Sequence, residues 1–269
     1  MPSPFYRELY VSDPVMTGND VLIAQTLLKR DSAVDPNFIA SGNYESDSAK
    51  ATSAFQSANN LPSTGVLDSV SAQTLLDLHS DDEYTDSGFT AASMGYLYKF
   101  HILAHSNRSI ETYSTLYDKD NNVMLKFRTR THGHRGDGTT TAWPDYGDRN
   151  TVTGLVEMDL NSPEPDPALY GPWPVNRIVR GLDGNALLLL PNIRDGILVH
   201  TGNWTTEEVT WRPTMDMPNS AGCIHAHPSD VERIYTILTQ QLGVQVRDNP
   251  FSGKNYPYQP QGVGVIESL

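Results

Sequence analysis

Residues 217–235 read MPNSAGCIHAHPSDVERIY, and they hold the single cysteine of the 269-residue chain, Cys223. The reading of that cysteine decides what kind of domain surrounds it. It is a small buried residue, a metal ligand or a nucleophile. A nucleophilic cysteine needs a base, an electropositive setting that favours the thiolate, and donors for an oxyanion. Gly222 lets backbone and substrate approach closely, and Asn219 and Ser220 can fix the turn through side-chain to backbone bonds. Downstream, Ser229 reads as a helix N-cap with Glu232 completing a capping box and Gly243 as the stop. Val231, Ile234, Tyr235, Leu238 and Leu242 form that helix's apolar stripe. The cysteine therefore belongs to a turn just ahead of a helix.

Its base must come from elsewhere in the chain. The stretch GILVHTGNW, residues 196–204, offers His200 at the end of an apolar strand, where an imidazole is rigidly aimed. A buried inert cysteine beside a core histidine accounts for the same residues. The metal reading draws on two H-x-H pairs, His132 with His134 and His225 with His227. That pattern is weak without a second cysteine or an H-E-x-x-H, so no metal and no cofactor is expected.

Working outward, three helical signals crowd the first 80 residues. Val21, Ala24, Gln25 and Leu28 share one stripe; Ala51, Ala54, Phe55 and Ala58 share another. Ala72, Leu75 and Leu76 form the third, with Asp68 as its N-cap. Residues 15–80 thus read as a three-helix module, 81–95 (acidic and poor in large aliphatics) as a linker, 96–250 as a second domain and 251–269 as a tail without clear period. In the second domain YLYKFHILA, SIETYSTLY and VMLKFRTRT read as strands, the last two joined as a hairpin through DKDNN at 118–122. NALLLL at 185–190 and DGILVH at 195–200 read as further strands. Two long irregular stretches, 132–150 and 161–176, are candidate lids or binding loops.

Composition excludes several partners. The net charge of −13 disfavours a phosphate backbone, so no nucleic-acid partner is expected. The chain contains no apolar run long enough for a membrane span, and MPSPFYRELY at the N-terminus lacks the apolar core of a signal peptide. One cysteine precludes an intrachain disulfide.

These residues resemble a family. LVHTG at 198–202 and SAGCI at 220–224 are similar to the strand-His and S-x-G-C signatures of the L,D-transpeptidase (YkuD-type) catalytic domain of bacterial cell-wall enzymes. TVTGLVEM at 151–158 resembles the strand that usually lies upstream in that domain, with Val152 at a position usually held by proline. The resemblance covers roughly residues 96–248. The first 80 residues resemble a peptidoglycan-binding domain of the three-helix type through GNDVLIAQTLL, the A-x-x-x-F-Q of helix two and TGVLD. Together they imply a multidomain α + β chain, a three-helix peptidoglycan-binding module followed by a β-rich YkuD-like sandwich with a covering helix. The implied chemistry is thiol acyl transfer on peptidoglycan, with stem peptides and glycan as partners and an extracytoplasmic or secreted setting. Cys223 would attack an L–D amide with His200 as base, the backbone carbonyl of Thr201 orienting that ring, and the N–H groups of Cys223 and Gly222 holding the oxyanion. Ser220, His225, Asn203 and Trp204 are the substrate-binding candidates. Two departures stand out: Ala221 replaces the usual His or Lys, and His225 the usual Arg or Asn. They leave open transpeptidation, hydrolysis as a carboxypeptidase or endopeptidase, and a decayed wall-binding protein.

Overall fold

A computed structural model describes residues 1–2, 4–108, 110–131, 150–190, 197–202, 216–220, 222–249 and 255–269. It divides into two compact units, Met1–Asp81 and Asp82–Leu269.

In the first unit a two-residue strand β1 (Met16–Thr17) pairs antiparallel with β2 (Asn43–Tyr44). Around them pack α1 (Asn19–Leu28), α2 (Ser46–Ala58) and α3 (Ser69–His79). The helix faces follow the apolar spacing: Val21, Ala24, Leu28, Phe55, Ala72 and Leu75 are fully or almost fully buried. Ala58, expected on the second stripe, is exposed. Asp68 caps α3 by accepting the Ser71 N–H at 2.8 Å, as its sequence position predicts.

In the second unit a 3-10 turn, Ala91–Met94, precedes β3 (Tyr98–Ala104), β4 (Thr112–Asp118) and β5 (Val123–Arg130). Then come β6 (Gly154–Asn161), the short α4 (Pro167–Tyr170), β7 (Val175–Asp183), the short α5 (Gly184–Leu189) and β8 (Leu198–His200). After β9 (Ile224–Ala226) follow α6 (Pro228–Thr236), a π-helical turn Ile237–Gln241 and β10 (Gly262–Ser268). The strands close into a barrel in the order β10-β3-β4-β5-β9-β8-β7-β6. Most neighbours are antiparallel; β10–β3 and β8–β9 are parallel. Inward-facing Phe100, Phe127, Met158, Ile178, Val199 and Ile224 form one core, to which α6 adds Val231 and Ile234.

Several expectations are corrected here. The β domain is a closed barrel, not a sandwich: β10 pairs with both β3 and β6 and leaves no open edge between them. Residues 255–269 are accordingly no tail, because Tyr256 and Gln261 bond to the Asp159 carboxylate before β10 completes the sheet. Residues 82–95 belong to the second unit rather than to a loose linker. Asp86 pairs with the buried Lys99 at 2.9 Å, and its N–H donates to Glu267 at 2.9 Å. NALLLL is helix α5, opened by the Asp183 carboxylate on the Gly184 N–H. Helix α6 starts two residues earlier than its capping pattern suggests, with His227 as N-cap and Pro228 in the first turn, where proline's missing N–H costs nothing.

Candidate functional site

The site lies on the outer face of β7, β8, β9 and β5. Side chains alternate along a strand, and register partners point to the same face. Val199 pairs with Ile224, and both belong to the core; His200 pairs with His225, so both face outward. One step back, Leu198 and Cys223 share that outer face and pack together with Val175 and Tyr170. Cys223 and His200 are thus diagonal neighbours across the parallel β8–β9 pair. On β7, Arg177 is the partner of Leu198. On β5, Arg130 is the partner of His225.

The turn that delivers the thiol is pinned by hydroxyls. Ser220 Oγ donates to the Cys223 carbonyl at 2.8 Å and accepts the Gly222 N–H at 3.2 Å. Thr151 Oγ1 reaches both the Gly222 and Cys223 carbonyls, at 3.1 and 3.2 Å. Gly222 has a φ of 113°, which a side chain would strain. Cys223 itself is 7% exposed. Ser220 fixes this turn as its place in the sequence suggests, and it is itself buried. The Gly222 N–H, expected in the oxyanion hole, is engaged by Ser220.

Both histidines of the face are buried. Their rings meet edge to face with centroids 4.6 Å apart, and Tyr170 covers His200 at 5.0 Å. His200 Nδ1 accepts the Gly202 N–H at 3.1 Å. The ring is therefore oriented by a donor, not by the Thr201 carbonyl the resemblance suggests. In the neutral ring this fixes the proton on Nε2. His225 Nδ1 bonds the Pro218 carbonyl at 2.7 Å, which gives it the opposite tautomer. Burial pushes His200 well below the ordinary histidine range, with His225 adding to the shift. Burial likewise brings His225 down to about 4, against the opposing Pro218 bond and with help from Arg130. At neutral pH His225, a substrate-binding candidate in the sequence, is therefore uncharged and enclosed.

Gly202 makes this packing possible. Its φ is +76°, and a Cβ there would lie 2.7 Å from the His225 ring. Tyr170 is raised by burial first and then by neighbouring Cys223, Glu164 and Asp166.

Asn203, Trp204, Ala221, His132 and His134, together with loop residues 132–149, lie outside the described residues. Stretch 161–176, a candidate lid or binding loop in the sequence, forms the end of β6, α4 and the start of β7, and through Tyr170 it touches the site. Among the described residues no group of three or more His, Cys, Asp or Glu could hold a metal ion. Arg130 is the site residue that sequence reasoning missed. The alternation of VMLKFRTRT, with Leu125 and Phe127 inward, already assigns Lys126, Arg128 and Arg130 to the outer face.

Comparison with known proteins gives two kinds of likeness. Residues 17–75 match the family model described as putative peptidoglycan binding domain. Among solved structures, the chain is similar to the L,D-transpeptidase of Xylanimonas cellulosilytica DSM 15894, at 16% identity over 99% of each chain and a TM-score of 0.33. It is also similar to an L,D-transpeptidase (Yku) of Stackebrandtia nassauensis, at 14% identity over 90% of this chain and 94% of that one, TM-score 0.29. Likeness at that level is no basis for assigning chemistry, which has to come from the residues of this chain. No curated protein matches the sequence.

Proposed function

We propose that the protein is a peptidoglycan-active cysteine acyltransferase of the L,D-transpeptidase type, working outside the cytoplasm. The observation that supports it most is the shared outer face of Cys223 and His200 across β8–β9, with the thiol's turn fixed by Ser220 and Thr151. The peptidoglycan-binding match over residues 17–75 supports the choice of polymer. In this reading Cys223 Sγ attacks the carbonyl of an L–D amide in a stem tetrapeptide. The thiol proton passes to His200 and on to the departing terminal D-alanine amine, leaving a thioester. An amine of a second stem then attacks the thioester, gives up a proton through His200 and restores the thiol. If water replaces the amine, the product is a trimmed stem.

His200 starts neutral because burial keeps it so, which suits a base. To accept the proton on Nδ1 it exchanges the 3.1 Å bond from Gly202 for the thiol. Enclosure by Tyr170 limits water at the thioester.

The test is digestion of isolated sacculi with chromatography of the muropeptides, alongside intact mass after a carbapenem, a thiol acylator to which the family resemblance predicts sensitivity. The parent should form the adduct and change the muropeptide profile; Cys223→Ala should do neither while still pelleting with sacculi. New 3-3 cross-links identify transpeptidation and tripeptides identify hydrolysis. Sacculus binding by both proteins with no turnover by either would replace the enzyme with a wall-binding protein.

A further inference from the structure

Among the described residues, Arg177, Arg128 and Arg130 lie on the outer face around Cys223, and they differ in one respect. Arg177 on β7 is paired with Glu164. Arg128 on β5 is paired with Glu111. Arg130, two residues further along β5, has no carboxylate partner among the described residues. Its Nη1 donates to the Met217 carbonyl at 2.9 Å, while its Nε, like that of Arg177, is buried without a hydrogen-bond partner. A guanidinium offers five donors in a planar fork that matches a carboxylate. Leaving one donor buried and unmet costs free energy unless a ligand meets it.

Arg130 is also in the right place. It is the register partner of His225, so Cys223, two residues earlier in the chain and just ahead of β9, is its diagonal neighbour. Such neighbours lie about 7–8 Å apart at the backbone, within reach of a long side chain. His225, lying between them, is neutral and fully engaged with Pro218, so it supplies no charge.

We propose that Arg130 is the anion-docking residue of the cleft, and that its ligand is the terminal carboxylate of the peptide acyl donor. This rests on the reading of Cys223 as the nucleophile. It adds a specificity rule: the donor must end in a free carboxylate close to the amide that Cys223 cleaves.

Arg130 has a second role, since it also ties the segment before Cys223 to β5. Loss of overall activity in a variant would therefore say little, and the decisive readout is discrimination between two donors. One is a stem tetrapeptide with a free C-terminal carboxylate; the other is the same peptide as its carboxamide. The parent should prefer the carboxylate about 10- to 100-fold in kcat/KM, the range for charge-assisted hydrogen bonds. Arg130→Gln should reduce that preference to within about 3-fold by slowing the carboxylate donor selectively, and Arg130→Lys should retain part of it. A preference that survives in Arg130→Gln, or an equal loss on both donors, overturns the proposal.

Calorimetric binding of the two peptides to Cys223→Ala, with and without Arg130→Gln, separates this inference from the enzymatic one. Carboxylate-selective binding that vanishes with Arg130→Gln, in a protein whose parent turns over neither peptide, upholds the docking role and sinks the enzyme. Turnover without carboxylate selectivity does the reverse.

Discussion

The two units treat buried polar groups in opposite ways. In the helical unit Gln25 and Gln56 are almost wholly buried, and each amide is fully used. Gln25 Nε2 donates to the Asn43 carbonyl and Ser48 Oγ, both at 2.8 Å, and its Oε1 accepts the Gly42 N–H at 2.7 Å. Gln56 donates to the Val66 carbonyl at 2.8 Å and to Ser71 Oγ at 2.9 Å, and accepts the Gly65 N–H at 2.9 Å. Among the described residues of that unit no buried polar side-chain atom lacks a partner. In the barrel several do, among them Asn161 Oδ1 and Arg247 Nε away from the site, and Arg130 Nε and Arg177 Nε on the face that carries Cys223. A closed network holds loops in place and has no capacity left for a ligand. An incomplete one is a cost that a ligand can remove. The contrast separates a Gln whose bonds all serve the fold from an Arg that keeps a donor for the proposed ligand.

The largest test of this contrast is Gln56→Leu. It strands the Gly65 N–H and the Val66 carbonyl together, so the helical unit should lose about 2–4 kcal/mol. Urea unfolding followed by far-UV circular dichroism measures it, while turnover of a small soluble donor stays unchanged. A loss under about 1 kcal/mol would mean that water replaces the glutamine and that the network is less closed than described.

The barrel has its own reporter, because all four tryptophans, Trp143, Trp173, Trp204 and Trp211, follow residue 82. His225 titrates near 4 in the folded state against 6.5 when free. Between those values the unfolded chain binds the proton and the folded one does not, so stability rises with pH there. The contribution is complete above about pH 6.5 and is lost as pH falls toward 4. It amounts to about 3 kcal/mol. The barrel's stability, read by tryptophan fluorescence, should fall more steeply from pH 7 to 4.5 in the parent than in His225→Gln. Parallel pH profiles would show that the imidazole is not enclosed.

A smaller effect is expected from Gly202→Ala. Its left-handed φ and the 2.7 Å approach to His225 should together cost about 1–3 kcal/mol, with kcat falling more than KM rises because His200 loses its orientation. The smallest belongs to Lys50→Ala on α2. It removes an exposed pair with Asp47 at 2.8 Å and should change stability by less than about 0.5 kcal/mol.

The sequence was informative where one local signal sufficed. Asp68 announces α3 because an Asx cap is a local interaction, and LVH announces β8 because an apolar run ending in a polar residue needs no partner to be noticed. It misled where packing chose. NALLLL is too short for its period to separate helix from strand, and the Asp-Gly before it, which opens α5, is the better signal. Strand β10 was hidden by its glycines, yet these are what the barrel requires. A Cβ on Gly262 would fall 2.1 Å from the Tyr98 ring and one on Gly264 2.6 Å from Met158 Sδ. A residue chosen to accommodate a neighbour 164 positions away carries no local strand signal. The same holds for the site. Cys223 and His200 follow from motif spacing, but Arg130 joins them only through the β5–β9 register, which no window of sequence contains.

Closure by β10 has a consequence for synthesis. The helical unit has all its residues once position 81 has been made. The barrel waits for residues 262–268, because β3 and β6 have no other partner on those edges. At about 5–20 residues per second the interval is some tens of seconds. During it β3 and β6 expose unpaired backbone, the kind of edge that recruits other chains. A ribosome halted within that window would display a finished helical unit tethered to an open sheet. Translation speed between β6 and β10 thus becomes a determinant of yield, independent of the stability of the finished protein.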